Sequence, residues 1–112
     1  MQVEIGKAYT DGKNNLVLIF EMKDYKSAKY PDHNWRGLRI RKDFKTGIES
    51  YTEDGRYFID PSDTFDLVSE AEDFTLYHYM ANIVELKDDR NDYWLKKFYE
   101  AYVKRNANEA AE

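Results

Sequence analysis

The longest uninterrupted apolar run of this chain covers only residues 16–20, Leu-Val-Leu-Ile-Phe. A run of this length is typical of a strand that is buried on both faces, whereas a buried helix is usually longer. It is also far shorter than the roughly 20 apolar residues that a membrane span requires. Residues 11–15, just before it, read Asp-Gly-Lys-Asn-Asn, and Gly and Asn tolerate the positive φ of tight turns. The sequence therefore predicts a hairpin between residues 3–9 and 16–22.

Further short strands are predicted along the N-terminal two-thirds of the chain. Residues 35–44 alternate, which predicts one face with Leu38, Ile40 and Phe44. The opposite face is predicted to carry Arg39 and Arg41. Residues 46–47, Thr-Gly, are expected to form the next turn, and the Asp-Gly pair at 54–55 predicts a hairpin between residues 48–52 and 56–59. Short strands joined by tight turns favour an antiparallel meander that curls into a small barrel.

The C-terminal part contains one ambiguous segment and one clear helix. Residues 74–85 fit a period of two, but a helical period would align residues 74, 77, 81 and 84; their aromatic and β-branched content favours an added strand. Residues from about 89 to 105 predict an amphipathic helix, with acids at its start and Lys104 and Arg105 in its last turn. Its apolar stripe consists of Trp94, Leu95, Phe98, Ala101 and Tyr102.

The predicted fold class is therefore α+β: a small antiparallel β-barrel or strongly curled, SH3-like sheet with an added strand and a C-terminal amphipathic helix. With 112 residues the chain has room for one compact domain, expected over residues 1–105 and β-rich over 1–86. Residues 106–112 lack a packing side chain and are expected to fray.

The charge distribution is uneven, although the net charge is only −5. Residues 36–45 are basic, and residues 60–73 are acidic. A mildly acidic chain is not typical of a nucleic-acid binder, whereas opposite patches on one molecule suit docking onto another protein. The alternative is that both stretches are ordinary solvated faces.

The sequence offers no recognisable catalytic or metal-binding pattern. There is no Cys, and His33 and His78 lie on different predicted elements without a metal-ligand spacing. The acids Asp60, Asp63 and Asp66 recur every three residues, which does not match a calcium-binding EF-hand. No nucleophile elbow or phosphate-binding loop is present. We therefore expect a protein that is not an enzyme and needs no metal or cofactor. Since the first residues do not resemble a signal peptide, a cytoplasmic location is expected.

Aromatic residues are unusually frequent, with 10 Tyr, 6 Phe and 2 Trp. Packing inside a small barrel accounts for part of them. Others surround a predicted loop at residues 24–34, beside the basic strand, and Tyr, Trp and Arg are the residue types that dominate protein interfaces. The predicted binding surface consists of Tyr25, Tyr30, Trp35, Arg36, Arg39 and Arg41. A second candidate surface is acidic and consists of Asp60, Asp63, Asp66, Glu70, Glu72 and Asp73.

Four segments between residues 6 and 68 form a recognisable pattern: Gly-Lys-Ala-Tyr at 6–9, Tyr-Pro at 30–31 followed by Gly37, Tyr-Thr-Glu-Asp-Gly-Arg-Tyr-Phe at 51–58, and Phe-Asp-Leu-Val at 65–68. Together these segments resemble a loose group of small accessory proteins of tailed bacteriophages. The resemblance implies a compact β-barrel from a phage genome and carries over no catalytic residue. Small phage proteins of this kind often act on the host cell, for instance by blocking a defence system. By analogy, the resemblance implies a similar role for this chain.

Three functions follow as hypotheses. The first is a phage-encoded protein in the bacterial cytoplasm that inhibits a host protein by direct contact. The second is a binder of a nucleotide or single-stranded nucleic acid, with Arg39 and Arg41 on the phosphates and neighbouring aromatics on the bases. The third is a structural or assembly component, in which case a homo-oligomer is expected.

Overall fold

The computed structural model describes residues 1–23, 31–57, 64–85 and 89–111. These residues form five strands followed by two helices. The strands are β1 (Ala8–Asp11), β2 (Leu16–Met22), β3 (Trp35–Ile40), β4 (Thr46–Tyr51) and β5 (Leu67–Glu70). The helices are α1 (Asp73–Glu85) and α2 (Asp89–Ala111). The predicted α+β class is confirmed.

All strand pairs are antiparallel, and the strand order across the sheet is β4-β3-β2-β1-β5. The sheet does not close into a barrel, so that expectation is wrong: β4 and β5 are the two edges. The turn after β4 bends back toward β5, through an isolated bridge between Tyr51 and Tyr57 and a hydrogen bond from the Leu67 N–H to the Gly55 carbonyl (2.8 Å). These contacts curl the sheet but do not pair its edge strands.

Three tight turns share one hydrogen-bond pattern. In each, the fourth residue of the turn (i+3) donates its N–H to the carbonyl of the first (i) and has a positive φ. These fourth residues are Asn14, Phe44 and Gly55, with φ of 62°, 64° and 90°. Residue i in turn donates to the carbonyl of residue i+4. This is the three-residue hairpin loop, in which a left-handed residue forms a bulge after the turn. The predicted positive φ of Gly55 is confirmed.

The turn expected at residues 46–47 lies instead at residues 41–45, because Phe44 and not Gly47 adopts the left-handed conformation. That conformation costs an L-residue about 1–2 kcal/mol. The Phe44 ring packs edge-on against Tyr79 of α1, with ring centroids 5.7 Å apart, and the Asp43 carboxylate accepts a hydrogen bond from the Lys45 N–H (3.1 Å). Both contacts help to hold the turn.

Strand β2 is buried on both faces, as its sequence predicts. Leu16, Leu18 and Phe20 belong to the core beneath the two helices. Val17 and Ile19 face a second core on the opposite side of the sheet, together with Val3, Tyr9, Tyr51 and Leu67. The five residues from 16 to 20 are at most 4% exposed.

Residues 74–85 belong to helix α1, so the prediction of an added strand is wrong. Among the side chains of α1 that the structure describes, Leu76, Tyr79 and Met80 pack against the β2 core, and their spacing is helical. Helix α2 follows the predicted stripe, since Trp94, Leu95, Phe98 and Tyr102 all pack against the same core. It begins at Asp89, as expected, and continues to Ala111 instead of ending near residue 105.

Candidate functional site

The structure separates the residues of the predicted binding surface. Tyr25 and Tyr30 lie outside the described residues, as do Asp60 and Asp63 of the acidic alternative. Strand β3 carries Trp35, Arg36 and Arg39, and alternation along the strand places Arg36 on the helix side of the sheet. Trp35 and Arg39 lie on the other side. Arg41 is exposed at the start of the turn after β3. The described residues of this set do not form one surface.

Arg36 is part of the contact between the sheet and α2. Its guanidinium forms an ion pair with Glu21 of β2 (N–O distance 2.9 Å) and lies 5.5 Å from the ring centroid of Trp94. Lys97 of α2 binds the other oxygen of the same carboxylate at 3.2 Å, and this contact raises the pKa of the lysine. Glu21 therefore joins both cations, and Arg36 is largely covered.

Arg39 is covered on the opposite side of the sheet. It binds the Glu49 carboxylate of β4 at 2.8 Å, and its guanidinium lies 4.7 Å from the centroid of the Phe65 ring and 5.4 Å from that of Tyr57. The Tyr57 hydroxyl donates to the second Glu49 oxygen (2.8 Å); burial and this carboxylate raise the pKa of Tyr57. Only 16% of the Arg39 side chain is exposed. Its charge is thus already paired within the chain, which weakens the nucleotide hypothesis.

Three acidic residues lie around Trp35. This residue lines an open pocket of about 780 Å³, whose walls also include the carboxylates of Asp32, Glu53 and Asp54. A hydrogen bond from the Thr52 hydroxyl lowers the pKa of Asp54. Trp35 also packs against the second core, so this side chain supports the sheet as well as lining the pocket.

The described members of the acidic surface support the fold locally. The Asp66 carboxylate accepts a hydrogen bond from the Tyr57 N–H (2.7 Å) and so helps to hold the curl of the sheet. Glu70 lies 3.6 Å from the Lys7 ammonium. Glu72 and Asp73 are exposed at the start of α1, where negative charge favours the helix.

A different concave surface lies between the two helices. This apolar groove has a volume of about 430 Å³ and is lined by Leu76, Tyr77, Met80, Ala81, Phe98, Tyr99 and Tyr102. Its floor is formed by the buried Leu76 and Phe98, while Tyr77 and Tyr99 are 63% and 56% exposed. The neighbouring Tyr102 side chain on α2 raises the pKa of Tyr77 on α1.

The sequence prediction missed the groove because it assigned residues 74–85 to a strand. The signal that could have found it is the helical period that aligns Tyr77 with Ala81. These two residues do share a face of α1, but that face lines the groove, whereas the core side of α1 carries Leu76 and Tyr79.

Metal-binding clusters and membrane-spanning helices are both absent from the described residues. No cluster of three or more His, Asp or Glu side chains within them could hold a metal ion. No helix in the described part of the chain has both the length and the apolar character to cross a membrane. Comparison with protein-family models, with curated protein sequences and with solved structures found no match to this chain.

Proposed function

We propose that this chain is a non-enzymatic binding protein that acts by direct contact with another protein, and that the groove between α1 and α2 is its docking surface. The observation that carries the proposal is an apolar groove whose rim exposes two tyrosines by more than half. Tyrosine is enriched at the energetic centres of interfaces, since it buries a large area with few rotatable bonds. Contiguous apolar surface of this kind on a small domain commonly marks an interaction site.

The partner we propose is a bacterial host protein, for example a defence protein that this chain inhibits in the cytoplasm. The support is the resemblance of residues 6–68 to tailed-bacteriophage accessory proteins, together with the scarcity of catalytic patterns in the sequence. The finer SH3-like assignment is part of the same proposal, and the curl of the sheet from Tyr51 to Leu67 is compatible with it.

The proposal is tested by affinity capture from a bacterial lysate with three versions of the full chain. These are the native protein, Tyr99→Glu and the matched control Tyr93→Glu. Tyr93 is 55% exposed on the same helix and does not line the groove. We expect the native chain and the control to retain the same protein, and Tyr99→Glu to lose it, because a carboxylate would be desolvated in an apolar contact.

The protein retained is then purified and titrated against all three chains by calorimetry. Equal affinity for Tyr99→Glu and the native chain would show that the groove is not the docking surface. Circular dichroism of each variant checks that the fold is intact.

A further inference from the structure

We infer that the occupant of the groove is an amphipathic helix of the partner, which inserts two large apolar side chains one helical turn apart. This inference rests on the proposed function and specifies the chemistry of the segment that binds. It follows from the length of the groove, from the chemistry of its walls and from the area that it offers.

The length of the groove sets the number of anchors. Its walls extend from Leu76 to Ala81 on α1 and from Phe98 to Tyr102 on α2. With a rise of 1.5 Å per residue, these stretches are roughly 8 Å and 6 Å long. Residues i and i+4 of a bound helix are about 6 Å apart along its axis, whereas i and i+7 are about 10 Å apart. The described lining therefore has the length for two anchors one helical turn apart.

The walls favour a helix over an extended peptide. The described residues that line the groove belong to two helices, whose backbone N–H and C=O groups along these stretches are engaged within each helix. An extended peptide that enters the groove would find almost no polar groups there to pair with its own backbone, and unpaired buried backbone groups are costly. A helix satisfies its backbone internally and can present an apolar face alone, which is the helix-in-groove mode of recognition.

The area argues against a second copy of the chain as the occupant. An aromatic side chain buries about 150–250 Å², so Tyr77 and Tyr99 together offer roughly 200 Å² of exposed surface. Val103, which is 46% exposed on the same side of α2, and the partly buried Met80 raise the total to the order of 300–400 Å². A stable interface needs roughly 800 Å² from each partner. A helix that inserts two side chains into the groove requires much less exposed area than this.

Selection from a displayed library of random peptides of about 16 residues tests the inference, because helices shorter than this are marginal in isolation. The library is selected on the native chain and counter-selected on Tyr99→Glu. We expect the enriched peptides to share large apolar residues at positions i and i+4. The best peptide should bind Tyr99→Glu at least tenfold more weakly than the native chain, and Tyr93→Glu within about twofold of it.

Enriched peptides with alternating apolar residues at i and i+2, or no groove-dependent enrichment at all, would overturn the inference. The proposed function would survive that result if a captured protein still depends on Tyr99. Sedimentation of the native chain tests the other occupant: a dimer that Tyr99→Glu dissociates would show that a second copy fills the groove, and would also overturn the inference.

Discussion

Replacing Gly6 with Ala tests how closely the N-terminal segment packs against α2. Gly6 has a φ of +87°, and a Cβ atom added there would lie 2.7 Å from the Ala101 carbonyl oxygen and 3.1 Å from the Tyr102 nitrogen. These are backbone atoms, so a change of rotamer cannot relieve the clash. The contact is held by further hydrogen bonds: Gly6 donates its N–H to the Ile19 carbonyl at 2.8 Å, and Arg105 donates to the Gly6 carbonyl at 3.2 Å.

Two costs contribute to the expected loss of stability. The left-handed conformation costs an alanine about 1–2 kcal/mol. To restore ordinary contact, α2 must also move away from residue 6 by about 0.7 Å, in a core that tolerates little displacement, and overpacking of this kind costs about 1–3 kcal/mol. We expect Gly6→Ala to lower the free energy of unfolding by about 2–5 kcal/mol, which corresponds to roughly 10–20 °C in Tm.

The measurement is urea unfolding, followed by circular dichroism and by tryptophan fluorescence. Gly47→Ala is the matched control, because Gly47 has no positive φ and its added Cβ would meet nothing closer than 3.6 Å. We expect the control to stay within about 0.5 kcal/mol of the native chain. If Gly6→Ala is as stable as Gly47→Ala, the close approach between residue 6 and α2 is wrong.

Three further predictions concern stability. Arg39→Glu should lower the free energy of unfolding by about 3–5 kcal/mol, because it places two carboxylates together where Glu49 now has a cation. Arg41→Glu, at an exposed position, should change the free energy of unfolding by less than about 0.5 kcal/mol, and equal effects of the two changes would contradict the burial of Arg39. Burial raises the pKa of Tyr51, so stability should be full below the unfolded tyrosine pKa of about 10 and fall as the pH rises above it. Tyr51→Phe should reduce that alkaline loss and be neutral or stabilising at pH 7, since no described residue pairs with the buried hydroxyl; a large loss at pH 7 would reveal a partner for it. Truncation after Arg90 removes Leu95 and Phe98, two buried side chains of α2. Because the loss of such a side chain lowers the free energy of unfolding by about 2–5 kcal/mol, the truncated chain should show no cooperative thermal transition. An unchanged Tm would show that α2 does not stabilise the sheet.

Features governed by short-range sequence signals could be predicted. The apolar run at residues 16–20 has no polar position for solvent, so it predicts a strand with a core on each side, which is what β2 forms. The Asp-Gly pair at 54–55 predicts a positive φ because the left-handed conformation is freely available to Gly55. In α2 the apolar stripe correctly predicts the helix, whereas the basic pair Lys104 and Arg105 predicts its end too early, since the helix continues to Ala111.

Features governed by what covers a surface could not be predicted. Alternation along β3 correctly separates Arg39 from Leu38, but it does not reveal that Tyr57 and Phe65 return to cover the side on which Arg39 lies. The apolar residues of α1 recur at intervals that fit both a strand and a helix. The helix forms because Leu76, Tyr79 and Met80 then pack against β2, a contact with residues more than fifty positions away.

Four residues in the segments on which the proposed phage resemblance rests support the sheet. Gly6 allows α2 to approach, and Gly37 lies where a Cβ would be 2.7 Å from a methyl carbon of Val17. Gly55 takes the left-handed position in its turn, and Asp66 binds the Tyr57 N–H. The proposed groove, in contrast, belongs to α1 and α2, which lie outside residues 6–68. If the groove is the docking surface, proteins that share the sheet pattern are expected to share this architecture and to differ in their partners, since the exposed groove residues Tyr77 and Tyr99 can change without disturbing the glycines and turns on which the sheet depends.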